Sequence, residues 1–144
     1  MKAINSIRLS FPSRSANEGF ARIAVAAFAA QLDPTVEEVS EIKTAVSEAV
    51  TNCIVHGYGD TFGNIVITGR LYEGGKLVLT IRDKGRGIED VSQAMEPLFT
   101  TGNAEERSGM GFTIMETFMD KVRVTSKPGI GTTVTFTKYI QAKE

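Results

Sequence analysis

Between Thr35 and Gly57, apolar residues return at helical spacing through Val36, Val39, Ile42, Val46, Ala49, Val50 and Cys53. From Asn64 to Asp83 the period drops to two (Ile65, Ile67, then Leu77, Leu79, Ile81), with Glu73-Gly74-Gly75 between the two halves. A helix period that switches to a strand period points to an α/β fold in which helices cover one face of a sheet. Pro34-Thr35 with Glu38 has the spacing of a capping box and predicts where that helix starts.

The remaining segments extend this pattern. Ile7, Leu9 and Phe11 alternate with polar neighbours up to Pro12 and predict a first strand. Ser15 and Glu18 have the spacing of a second capping box, ahead of an apolar helix through Phe20, Ile23, Ala24, Ala27 and Phe28. Residues 85–111 are rich in glycine and charge and have little periodicity, which predicts a long irregular loop, a length usually tied to function. Phe112 to Met119 is helical in spacing, and Val122 to Ser126 and Thr132 to Tyr139 read as strands about Lys127-Pro128-Gly129. The expected architecture is α/β: a two-layer sandwich with a mixed sheet and helices on one face. Residues 1–144 would form a single domain, since 144 residues that are 42% apolar suffice for one core.

Charge narrows the function classes. Sixteen basic and 17 acidic residues nearly cancel, and no basic run tracks a phosphate backbone, so nucleic acid is not expected as a direct partner. Cys53 is the only cysteine, and neither a signal-peptide core nor a membrane-length apolar span occurs, so a cytoplasmic protein without membrane contact is expected.

Four short patterns carry chemistry. Glu48, Asn52 and His56 are spaced by four and would share one helix stripe, which could equally be a solvated face. Asp83-Lys84-Gly85-Arg86-Gly87 ends an apolar strand. Asp83 could simply open a turn, or, if buried, accept the amino group of adenine while Gly85 and Gly87 let a ligand approach the backbone. Ser108-Gly109-Met110-Gly111 precedes a helix, where free N–H groups and the positive helix end suit phosphate. Gly129-Ile130-Gly131-Thr132 precedes the last strand, with Thr132 a possible further contact near the base. Each pattern alone is weak.

In this order they resemble the N, G1, G2 and G3 boxes of the superfamily of gyrase, heat-shock chaperone, histidine kinase and mismatch-repair ATPases, known as the GHKL or Bergerat fold. No Gly-x-x-x-x-Gly-Lys-Ser/Thr loop or eukaryotic kinase signature competes. The resemblance is closest to the sporulation anti-sigma factors of endospore-forming bacteria. Phe20-Ala21-Arg22, Ser47 to Asn52 with His56-Gly57-Tyr58, Pro97 to Thr101 and Glu106 to Phe112 carry it, over about residues 7–140. Cys53 stands where that family usually has alanine, and residues 57–63 differ from its pattern.

The family resemblance implies a homodimer that holds sigma factor F inactive in its ATP form and phosphorylates a serine of an anti-anti-sigma protein. ATP, ADP and magnesium are the implied cofactors. Asp83 and Thr132 would meet the adenine, Asn52 would hold magnesium, and Gly109 and Gly111 would steady the phosphates. Glu48 would act on the incoming serine hydroxyl, Arg107 would reach the terminal phosphate, and Arg22 would dock both protein partners. A histidine kinase would need a phosphoacceptor histidine on a separate helix, and His56 is the only histidine. A gyrase-like ATPase would need transducer domains. A general-stress anti-sigma B kinase and a non-catalytic nucleotide-gated module remain as alternatives.

Overall fold

A computed structural model describes residues 2–95 and 111–140. Strand β1 (Asn5–Pro12) leads into helices α1 (Ala16–Ala29) and α2 (Val36–Asn52), then the hairpin β2 (Asn64–Tyr72) and β3 (Lys76–Asp83). A short helix α3 (Val91–Ala94) and helix α4 (Gly111–Phe118) precede the second hairpin, β4 (Lys121–Lys127) and β5 (Gly131–Tyr139). The sheet order is β1-β2-β3-β5-β4.

The two-layer sandwich is as expected, but within the described residues every strand pairing is antiparallel rather than mixed. Two helices, not one, separate β1 from β2. One helix would return the chain for a parallel strand, whereas a second helix brings it back to the far end, so β2 runs against β1. The chain between β3 and β4 returns β4 in the direction of β3, and β5 then inserts between them through a tight turn.

Alternation along the strands decides which face is covered. Ile65, Ile67, Leu71, Leu77, Leu79, Ile81, Val134 and Phe136 are buried, whereas their neighbours Thr68, Thr80 and Thr135 are only half-buried. From the helix side Val25, Phe28, Ile42, Val46 and Val50 complete the core. Burying a side chain of this size contributes about 2 kcal/mol.

At the start of α2 the expected cap is present. The Glu38 N–H donates to Thr35 Oγ1 at 3.0 Å and the Thr35 N–H donates to Glu38 Oε1 at 2.8 Å. The box expected at Ser15 is not formed. Ser15 already has helical backbone angles and makes no side-chain cap, and Glu18 accepts from Arg22 Nε at 3.0 Å instead.

The face of α1 is rotated from the one expected. Phe20 is 57% exposed, Ile23 61% and Ala27 is exposed, while Ala21, Val25 and Ala29 face the core together with Phe28, which was expected there. Val36, at the open end of α2, is 88% exposed. Arg22 is off the core stripe as expected, at the side of α1 that borders α2.

Lys138 locks the helix layer to the sheet. Its buried ammonium donates to Glu41 Oε1 on α2 at 3.0 Å and to the Phe118 carbonyl at the end of α4 at 2.7 Å. A cation at that carbonyl also suits the negative end of the helix dipole. The other end of α4, Gly111, is thereby held over the sheet, where the candidate site lies. Among the described residues no helix is long and apolar enough to cross a membrane.

Candidate functional site

Past Asn52 the chain does not leave the helix. It widens into a π turn over Cys53–Tyr58, where six residues cover the path to the loop. Such turns occur often at functional sites because they redirect side chains without breaking the helix. Tyr58 anchors this turn: its hydroxyl accepts from the Lys84 N–H at 2.8 Å and donates to the Asn64 carbonyl. The end of β3 is thus fixed against the end of α2.

Between them is a cavity of about 390 Å³, a size that suits a small-molecule ligand. Asn52, Cys53, His56 and Gly57 line it from α2 and the π turn, and Asp83, Gly87 and Ile88 from β3 and its loop. Gly111 and Phe112 contribute from α4, and Thr132 from β5.

Asp83 is 5% exposed. Its Oδ1 accepts the Gly85 N–H at 2.8 Å, so the turn that sequence alone allowed is present together with the burial required for a base contact. Gly57 makes room for this carboxylate, since a Cβ there would lie 3.0 Å from Asp83 Oδ2. Thr132 is the direct partner of Asp83 across the β3–β5 ladder. Gly87 has φ of +78°, and a side chain would strike the Lys127 carbonyl, so only glycine lets this loop close on the β4–β5 turn. Gly85 is not in the cavity wall; it packs behind it on the Gly57 backbone.

The stripe of Glu48, Asn52 and His56 divides. Asn52 and His56 line the cavity, whereas Glu48 lines a groove between α1 and α2 together with Arg22, Lys43 and Ser47. Glu48 and Asn52 both belong to the regular part of α2, before the π turn begins, so the division follows what covers each position: the α1 side at Glu48, and β3 and α4 at Asn52. Arg107 and Gly109 lie outside the described residues.

Several wall residues were not expected as site residues: Arg86, Ile88, Phe112 and Cys53. Arg86 stood between the two glycines and Cys53 directly after Asn52, so position in the motif could have found both. Cys53 is 4% exposed. Burial pushes its thiol well above the usual cysteine value, and the neighbouring Asp83 charge pushes it further. It is a buried, protonated group rather than a nucleophile.

Magnesium is a hard cation that takes few protein ligands and completes its shell with phosphates and water. Asn52 supplies an amide oxygen at the cavity, and among the described residues no His/Cys/Asp/Glu cluster could hold an ion by itself. The donor set fits an ion carried in by a nucleotide.

Residues 11–138 match the family of histidine kinase-like ATPase domains. The anti-sigma F factor of Thermoanaerobacter sp. (strain X514) is 59% identical over 140 residues, which cover 97% of each chain. That of Anoxybacillus flavithermus is 56% identical over 136 residues, 94% of this chain and 93% of its own. Among solved structures, the RsbU and RsbW domains of a Mycobacterium tuberculosis protein superpose with a TM-score of 0.70 at 17% identity. They cover 96% of this chain and 33% of that one. A mycobacterial sensor histidine kinase, MprB, superposes at 0.58 with 15% identity, over 95% of this chain and all of its own. The chain belongs to the histidine kinase-like ATPase domains and, within them, to the anti-sigma F factor family.

Proposed function

We propose that this chain is an ATP-dependent anti-sigma factor that holds sigma factor F and phosphorylates a serine of an anti-anti-sigma protein. One observation carries this most directly. Asn52 in the cavity and Glu48 in the Arg22 groove are one turn apart on α2, so a nucleotide and a docked protein would meet across a single helix turn.

Asp83 and Thr132 hold the adenine. Gly87 and Gly111 leave room along the phosphates, whose charge suits the start of α4. Asn52 presents its side-chain oxygen to magnesium, which when bound neutralises phosphate charge. Glu48 takes the proton of the incoming serine as its oxygen attacks the terminal phosphorus; the bond to the ADP oxygen breaks, and the phosphoryl group passes to the serine. Arg107 reaches the terminal phosphate from the segment between α3 and α4. The active unit is a homodimer located in the cytoplasm.

Arg22 provides the docking point shared by both partners. Its guanidinium is kept in place by Glu18, and Lys43 adds a second cation to the groove, which suits an acidic partner surface. Such a half-buried pair, one helix turn apart at the surface, adds little stability by itself. Retention of sigma factor F and of the serine protein by the Arg22→Glu variant, with ATP and with ADP, tests this assignment. Both should be lost together while ATP affinity is unchanged, and normal retention of both would place the docking surface elsewhere.

That Glu48 borders the groove and not the cavity wall favours one second reading, a nucleotide-gated binding module without transfer. The two differ in whether phosphoserine forms at all.

A further inference from the structure

Ser126, on β4, lies outside the cavity wall but in the same cross-strand row as Asp83 and Thr132. Its Oγ is 2.7 Å from Thr132 Oγ1 and 3.0 Å from the Gly131 carbonyl, and it accepts the Ile88 N–H at 2.8 Å. A serine hydroxyl has one proton and two lone pairs to share among these three neighbours. The Ile88 N–H can only donate, so it occupies a lone pair. The Gly131 carbonyl can only accept, so it takes the proton. Thr132 then meets the second lone pair and must donate. In the reverse arrangement, with Ser126 donating to Thr132, the Gly131 carbonyl would face another oxygen with no proton between them. Only one assignment satisfies all three contacts.

We propose that Ser126 is a positioning residue for nucleobase selection: by taking the hydroxyl proton of Thr132, it leaves Thr132 only lone pairs to offer the cavity. This rests on the reading of Asp83 and Thr132 as base contacts. Asp83 is likewise an acceptor when ionised, so two neighbouring groups present acceptors to the same edge of a ligand. That edge must then carry donors, as the 6-amino group of adenine does. A 6-oxo purine replaces the two amino donors with an oxygen and keeps only N1–H as a donor, so at least one of the two acceptors would meet an acceptor. A threonine hydroxyl free to rotate would suit either base, so the discrimination comes from Ser126, which touches no ligand. Ser126 also holds the backbone of Ile88, which lines the cavity.

The test uses the full chain, titrated by calorimetry with ATP and with inosine triphosphate, which has an oxo group in place of the 6-amino group. Ser126→Ala frees the Thr132 proton and should lower the ATP-to-inosine preference about tenfold, the effect of one reversed hydrogen bond. Ser126→Thr keeps a hydroxyl and should restore the preference. If Ser126→Ala weakens both nucleotides by the same factor, Ser126 serves only the fold and the inference is overturned. Should Ser126→Ala not fold, Thr132→Val gives the same decision. A loss confined to ATP supports the inference, and equal losses overturn it. The underlying reading is checked separately by Asp83→Asn: wild-type ATP affinity in that variant would locate the failure in the base contact and not in Ser126.

Discussion

Asp83 and Thr132 face each other across the β3–β5 ladder, and both line the cavity that α2 closes from above. A buried carboxylate beside a threonine hydroxyl, at the end of a sheet whose covered face also carries the buried but paired Lys138, is a local exception to the apolar core pattern. Such exceptions need a polar partner, and a nucleobase provides one.

Asp83→Asn tests that partner. Asparagine keeps an oxygen for the Gly85 N–H, so the turn should survive, but its NH₂ can be set against the adenine amino group. ATP affinity should fall by about tenfold or more, measured by calorimetry, with the melting temperature little changed. Unchanged affinity would remove Asp83 from the base site.

Asn52→Ala should separate nucleotide binding from magnesium. With the side-chain oxygen gone, the ion keeps only phosphate and water ligands, so the gain in ATP affinity on adding magnesium should shrink severalfold. Titrations with and without the metal measure this directly. A gain equal to that of the wild type would mean that Asn52 serves the fold.

Cys53 gives a prediction about pH. Because burial and the Asp83 charge raise its thiol above the ordinary value, the reactive thiolate is scarcer at pH 8 in the folded protein than in free cysteine. Alkylation by iodoacetamide should be slow in the native chain, accelerate only well above pH 9, and become fast on unfolding in urea. Rapid alkylation of the folded chain at pH 8 would contradict this.

The sequence read well where polar residues fixed the phase of a pattern. The Thr35–Glu38 box and both hairpins were legible for that reason, whereas Asn52, Asp83, Gly87, Gly111 and Thr132 were singled out by short motifs and their order, and the fold brings these five to one cavity. Helix α1 was not, because residues 16–30 hold only Glu18 and Arg22 as charges, and an apolar pattern nearly all round has no polar face to orient it. Phe20 and Ile23 were therefore assigned to the core alongside Phe28, where Ala21 and Val25 are found instead. The direction of Glu48 depends on how α1 packs beside α2, a contact that helical spacing does not encode. Ser126 was invisible for a related reason: a serine in a strand gains meaning only from its neighbours across the ladder.

Glu48→Gln tests the central claim most directly. The substitution keeps the size of the side chain but removes the base, so single-turnover phosphorylation of the anti-anti-sigma protein should fall at least about 100-fold. ATP affinity should stay within about twofold of wild type, since Glu48 lies outside the nucleotide cavity. Transfer at the wild-type rate by this variant would contradict the proposed chemistry.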